Sequence, residues 1–264
     1  MCELLGMECN VPTDIAFSFT GLRRRGGLTG PHGDGWGLAL YEGRDVSVFR
    51  EPRAAANSRL AKFLTDHPTK TLLAVGHVRQ RTRGATSLAN THPFTRELWG
   101  RRWVFAHNGT LRRVRRRPLG RFEPLGTTDS EHAFCHLMSE LERWFSSYPR
   151  KPSELWAAVA ELGAKLGEDG TFNFLLGDGS HLYARCGTRL SHIIREAPFG
   201  PAQLRDAKVQ VNFAEVTTAR DRVAVVATAP LTTNERWVLA ERGELRVFRR
   251  GRLAAVFEGA RRRA

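Results

Sequence analysis

Much of this chain reads as short apolar runs broken by turn residues, the pattern of strands buried on both faces. Cys2–Met7 predicts the first of these strands. After a loop rich in Gly and Arg (Gly21–Gly35), Trp36–Tyr41 and Val46–Arg50 predict two strands about a Glu42-Gly43 turn. Thr71–Val78 is an apolar, β-branched run, and Trp103–His107 is another, ending at Asn108-Gly109. The last third is strand-rich. Thr171–Gly177 and His181–Cys186 flank Asp178-Gly179, and Leu190–Arg195, Arg222–Thr228, Glu244–Phe248 and Leu253–Phe257 follow. Helical periodicity is confined to the middle. Ser58–Asp66 predicts a short helix. Over Ser130–Phe145, Ala133, Phe134, Leu137, Met138, Leu141, Trp144 and Phe145 recur at helical spacing. Ser153–Leu166 predicts another helix, opened by Pro152-Ser153 and stopped by Gly167. Strands, then two central helices, then strands imply layered α+β rather than alternating βαβ. No linker, repeat or low-complexity block divides the chain, so one domain over residues 1–264 is expected.

Composition narrows the class. Hydrophobic residues make up 41% of the 264, too much apolar material for a disordered tail. No stretch approaches the roughly 20 apolar residues of a membrane span. No basic segment followed by an apolar one opens the chain, so a folded cytoplasmic protein is expected. The net charge of +14 is carried by arginine, most densely in Arg112-Arg113-Val114-Arg115-Arg116-Arg117, with Arg121 beyond it and Arg261–Arg263 at the tail. Such runs can track phosphates, but no zinc finger, RNP-type strand or basic heptad accompanies them. A solvated, arginine-rich surface is the expectation, and nucleic acid is not the expected partner. The four cysteines (Cys2, Cys9, Cys135, Cys186) are too few and scattered for a disulfide framework, and none are paired at zinc-knuckle spacing.

Four stretches carry candidate chemistry: Cys2; Arg79-Gln80-Arg81-Thr82-Arg83-Gly84 with His92-Pro93 downstream; His107-Asn108-Gly109; and Thr128-Asp129-Ser130-Glu131. Each also has a plain structural reading. Cys2 fits a small buried hydrophobe, Arg79 a surface charge, and Asn108-Gly109 a hairpin turn. Thr128-x-x-Glu131 fits a capping box, with Asp129 at the positive end of the helix dipole.

As an ordered set, these stretches resemble the class II glutamine amidotransferases, a branch of the N-terminal-nucleophile hydrolases, and most of all their stand-alone YafJ-like group. The resemblance runs from end to end. It includes Met1-Cys2-Glu3-Leu4-Leu5-Gly6, Gly33-Asp34-Gly35-Trp36-Gly37, Asn90-Thr91-His92-Pro93-Phe94 and Arg96-Glu97-Leu98-Trp99-Gly100. It continues through Thr171-Phe172-Asn173-Phe174-Leu175-Leu176 and Ala227-Thr228-Ala229-Pro230-Leu231-Thr232-Thr233-Asn234-Glu235. It implies a four-layer αββα sandwich.

It also implies roles. Cys2, made the first residue by removal of Met1, would be the nucleophile and its own α-amine the base. Reference pKa values of about 7.7–8.0 for the amine and about 8.5 for the thiol make that proton transfer cheap. Asn108 and Gly109 would form the oxyanion hole. Arg79 would grip the substrate carboxylate and Asp129 its ammonium, with Thr82 and His92 in the substrate pocket and Arg25, Trp36 and His107 in support. Arg81 and Arg83 replace the small residue and His usual in the broader family. Cys9, Cys135 and Cys186 are expected to be inert. No cofactor or metal is implied. The expected substrate is L-glutamine, with a γ-glutamyl compound as the alternative, and any ammonia acceptor would be a separate synthase. A non-catalytic binding or regulatory protein with a disused pocket is the reading from a different class.

Overall fold

The computed structural model describes residues 2–81 and 85–259. Two antiparallel sheets lie face to face. The first runs β13 (Val238–Leu239), β9 (Ser191–Arg195), β12 (Val223–Ala227), β1 (Glu3–Asp14), β4 (Lys70–Val78), β2 (Trp36–Glu42) and β3 (Asp45–Glu51). The second runs β15 (Arg252–Phe257), β14 (Leu245–Arg249), β8 (Leu182–Arg185), β7 (Gly170–Gly177), β6 (Arg101–Leu111) and β5 (Phe94–Leu98). Helices α1 (Ala16–Arg25) and α2 (Arg59–Asp66) cover the first sheet, and α3 (Asp129–Trp144) and α4 (Pro152–Gly167) cover the second. A small ribbon of β10 (Pro201–Gln203) and β11 (Gln210–Asn212) leads into the single-turn α5 (Phe213–Val216). The result is the αββα sandwich implied above.

Four layers enclose three cores. The period-2 alternation of a strand sends Leu5, Met7 and Cys9 toward α1, and Leu4 toward the facing sheet. Between the sheets, Leu4, Leu73, Val75 and Val226 meet Val104, Ala106, Leu175 and Leu182. Beneath α3 and α4, Phe105, Phe172 and Phe174 pack on Phe134, Leu137 and Leu162. Both faces of each sheet are therefore apolar, which is why the sequence shows continuous runs rather than clean alternation.

The structure departs from the sequence expectation in several places. α1 occupies what reads as connecting sequence, and the predicted glycine-rich loop begins only after Arg25. Its buried Phe19 and Leu22 seat it, and Arg23, Arg24 and Arg25 suit the negative end of its dipole. β6 does not stop at His107 but continues through Asn108-Gly109 to Leu111. β5 and the ribbon strands had no predicted counterpart. Ser58 and Thr128 cap α2 and α3 through their hydroxyls. The predicted capping box forms only in part. Buried Glu131 turns instead to Arg96 and to the backbone N–H groups of Leu125 and Gly126.

The arginine run is largely engaged within the fold. Arg113 and Arg117 face Asp169, Arg115 donates to the Thr127 carbonyl, and Arg121 pairs with Glu142. Arg261–Arg263 lie outside the described residues. Among the described residues, no helix is long and apolar enough to cross a membrane.

Glu8 gives a stability prediction. Its carboxyl is buried in β1 and accepts from the N–H groups of Arg250 (2.6 Å) and Gly251 (2.7 Å) at the turn between β14 and β15. Burial, opposed by those two N–H groups, raises its pKa to about 7. A raised carboxyl pKa stabilises the fold most below the unfolded value, and that contribution is lost as pH climbs through the folded value. The window here is about 4.5 to 7, and the full effect is on the order of 3 kcal/mol. Buried histidines pull the other way, so the test is a difference. Urea midpoints measured from pH 5 to 8 should show a declining contribution in wild type relative to Glu8→Gln. Parallel pH profiles for the two proteins would remove Glu8 from the account.

Candidate active site

β1 pairs with β4 in a register that sets Glu3 opposite Val78, which brings Cys2, just before β1, beside Arg79 and Gln80. The Cys2 Sγ lies 3.5 Å from the Gln80 carbonyl oxygen, and the Gln80 N–H donates to Sγ at 3.4 Å. Burial raises the thiol pKa, while the Gln80 N–H and the Arg79 charge act against that rise. A thiolate here needs a nearby base.

Arg79 is buried, at 4% exposure, and burial lowers its pKa. Its backbone is locked to the segment before β2: the Arg79 N–H donates to the Gly35 carbonyl (2.7 Å) and the Asp34 N–H to the Arg79 carbonyl (3.0 Å). Its Nη1 donates to the Ala85 carbonyl at 3.2 Å. No carboxylate among the described residues pairs with it. A buried guanidinium without a counter-ion costs free energy, so it belongs where an anion arrives.

Arg25 is placed differently. Its Nε donates to Asp206 (2.7 Å), Nη1 to Glu3 (3.1 Å) and the Ala229 carbonyl (3.0 Å), and Nη2 to the Pro230 carbonyl (2.7 Å). It braces the residue after Cys2 against the loop leaving β12. Trp36 packs against Phe19 beneath α1, and its indole donates to Glu51. Thr82 lies outside the described residues.

The facing strand supplies Asn108 and Gly109. Gly109 is opposite Phe172 in β7, and a Cβ on it would lie 2.0 Å from the Thr171 carbonyl oxygen, so this position admits glycine alone. This explains why an Asn-Gly pair sits inside a strand rather than at a turn. The Asn108 carbonyl accepts from Asn173 Nδ2 at 2.9 Å, and Asn173 Oδ1 accepts from the N–H groups of Gly187 and Thr188 at 2.9 Å each. The Asn108 side chain itself is buried, and its Oδ1 has no hydrogen-bond partner among the described residues.

Asp129 opens α3 and ties it to the end of β6, its Oδ2 accepting from the Leu111 N–H at 2.6 Å. His107 reaches the helix layer, with Nδ1 2.8 Å from Ser130 Oγ and Nε2 3.1 Å from the Thr171 carbonyl. Burial holds it below the ordinary histidine pKa, against the pull of Asp129. His92 lies between the tilted rings of His77 (4.3 Å) and Phe94 (4.4 Å), and neither of its ring nitrogens has a hydrogen-bond partner among the described residues.

His77 was not singled out by sequence reasoning. Its Nε2 lies 3.2 Å from the His107 carbonyl and so links β4 to the strand carrying Asn108. Burial pulls its pKa down to about 3, leaving it neutral with Nε2 as the donor. The available signal was a lone histidine in the apolar Thr71–Val78 run. Asn173 was likewise missed as a support of Asn108. Among the described residues, no group of three or more His, Cys, Asp or Glu side chains is placed to hold a metal ion.

Comparison with known proteins matches residues 1–264 to the family "Glutamine amidotransferases class-II". The chain is 51% identical over 251 residues to "Putative glutamine amidotransferase YafJ" of Escherichia coli (strain K12), covering 94% of this chain and 97% of that protein. It is 42% identical over 264 residues to a Haemophilus influenzae protein described as "Putative glutamine amidotransferase", covering 100% of this chain and 90% of that one. Among solved structures, the "predicted glutamine amidotransferase from Pseudomonas aeruginosa PA01" superposes with a TM-score of 0.77 at 44% identity, covering 96% of this chain and 100% of that one. The glutamine phosphoribosylpyrophosphate amidotransferase of B. subtilis shares the fold, with a TM-score of 0.51 at 16% identity over 94% of this chain and 47% of its own.

Proposed function

The chain belongs to the class-II glutamine amidotransferase family, and on that premise we propose that it cleaves the side-chain amide of glutamine with Cys2 as nucleophile. Removal of Met1 frees the Cys2 α-amine to take the thiol proton. The sulfur attacks the amide carbon, and the resulting oxyanion accepts hydrogen bonds from Asn108 Nδ2 and the Gly109 N–H. Collapse breaks the C–N bond, and ammonia leaves with the proton returned by the amine. A γ-glutamyl thioester remains, and water, deprotonated by the same amine, hydrolyses it to glutamate and free thiol. If Met1 stays, the amine is an amide and the base is lost.

The observation that carries this reading is the buried Arg79 guanidinium, whose charge acts on the thiol and which no carboxylate among the described residues pairs with. The substrate α-carboxylate supplies that charge in a fork-like pair. Asp129 retains acceptor capacity beyond its bonds to the Leu111 and Ser130 N–H groups and takes the α-ammonium. Together they read the amino-acid head, which glutamine and γ-glutamyl compounds share. Steady-state assays with glutamine and a γ-glutamyl panel choose between them: glutamine should give the highest kcat/KM, and a γ-glutamyl peptide far ahead of it would shift the substrate assignment. Ammonia not released to water would pass to a separate acceptor enzyme.

Asp129→Ala should raise KM for glutamine at least about tenfold, the worth of one charge-assisted hydrogen bond. It should also lower stability by about 1–3 kcal/mol, because the Leu111 N–H loses its acceptor. A folded Asp129→Ala enzyme with an unaltered KM would take Asp129 out of substrate binding.

A further inference from the structure

We propose that a second cavity, at the outer edge of the β6–β7–β8–β14 sheet, binds a small molecule carrying a carboxylate or phosphate group at one end and a cationic group at the other, with Arg185 gripping the anion. The cavity measures about 500 Å³ and is walled by the end of α4, the start of β7 and the chain around β8, β14 and β15. None of Cys2, Arg79, Asn108 or Asp129 lines it.

Arg185 is the buried cation of this cavity, at 7% exposure. Its Nη1 donates to the Phe172 carbonyl at 2.8 Å. Its Nε and Nη2 have no hydrogen-bond partner, and no carboxylate pairs with it, among the described residues; the guanidinium also lies over the face of the Phe172 ring at 5.7 Å. The neighbouring end of α4 does not fill that gap. The Lys165 carbonyl already accepts from Arg117 and the Glu168 N–H, and the Leu166 carbonyl from the Asp169 N–H.

Elsewhere in the molecule the same guanidinium edge takes a carboxylate. Arg195 holds Glu235 through Nε at 2.8 Å and Nη2 at 2.7 Å. On Arg185 that edge is left for a ligand. A Cβ at Gly167 would come 2.5 Å from Arg185 Nη2, so glycine is what leaves room for the guanidinium there. Burial lowers the pKa of Arg185 to about 10, which leaves it charged at neutral pH and in need of an anion.

The rim has the opposite character. Among the described residues, Glu168, Glu241 and Glu258 are exposed there, against the single exposed Arg242. Glu244 is already paired with Arg246. A cationic floor beneath an acidic rim disfavours a bare anion and favours a ligand with charges at both ends.

Calorimetric titration of the full-length protein with 6-aminohexanoate, hexanoate and inorganic phosphate tests this. Aminohexanoate should bind at one site and more tightly than hexanoate. Amide shifts on binding should concentrate at Gly167, Gly187 and Gly243. Phosphate binding more tightly than aminohexanoate at those same glycines would overturn the two-charge ligand. Arg185→Gln should weaken binding at least roughly tenfold, as loss of a charge-assisted hydrogen bond does. Should that variant fail to fold, the exposed rim pair Glu241→Gln and Glu258→Gln decides, because it should erase the advantage of aminohexanoate over hexanoate. Absence of binding by all three probes at millimolar concentration, unchanged affinity in folded Arg185→Gln, an advantage that survives the rim variants, or shifts confined to the Cys2 region would overturn the proposal.

Discussion

Cys2→Ala is expected to keep the fold and lose turnover of glutamine, by a factor on the order of 10⁴–10⁶, as removal of a covalent nucleophile does. The fold survives because, among the described residues, the Sγ makes only two weak hydrogen bonds, both to the Gln80 backbone, and lies just outside β1. A shift of about 1 kcal/mol or less in the unfolding free energy follows. Turnover fails because a methyl group cannot form the thioester, whatever the rest of the pocket contributes. Cys2→Ser separates nucleophilicity from geometry. The hydroxyl fits the same space, and an α-amine can activate a hydroxyl, but serine is the weaker nucleophile in a pocket built around a thiol. Its activity should lie near that of the alanine variant. Glutamate release at the wild-type rate by folded Cys2→Ala would end the nucleophile assignment.

Asn108→Ala is the second large effect. Losing one oxyanion donor costs about 10²–10³ in kcat, with KM little changed because the donor acts on charge that develops after binding. Stability should hold to within about 1 kcal/mol. The Asn108 Oδ1 is buried without a partner among the described residues, so truncation removes an unpaired polar atom. The backbone bond from Asn173 to the Asn108 carbonyl does not depend on the side chain. Asn108→Asp keeps the volume but sets a second acceptor against the oxyanion, so it should be at least as slow. A folded Asn108→Ala enzyme with wild-type kcat would place the oxyanion elsewhere.

These residues were legible in the sequence to different degrees. The runs that become β4, β7 and β12 announce themselves because both faces of each sheet are apolar. The α3 periodicity does so because one face alone packs on Phe105 and its neighbours. α1 was hidden because its buried face includes Ser18, Gly21 and Arg25 rather than a clean apolar stripe. Asn108-Gly109 looked like a strand end because that dipeptide is the commonest hairpin signal. Only the approach of Gly109 to Thr171 shows why a strand needs it. Arg25, expected from sequence order in support of the nucleophile, ties Glu3, the residue after Cys2, to the β12 exit loop. The meeting of Cys2 with Arg79 depends on the β1–β4 register, and no spacing along the chain encodes it. His77 and Asn173 act through contacts with β6, on which a single sequence is silent.

The most direct test of the whole account is the intact mass of purified protein before and after exposure to an electrophilic glutamine analogue. The expected result is a mass lacking Met1, then one stoichiometric adduct mapped to the amino-terminal cysteine, with free glutamine protecting it and Cys2→Ala unlabelled. A chain that retains Met1 and stays unmodified, or an adduct on Cys9, Cys135 or Cys186 instead, would contradict it.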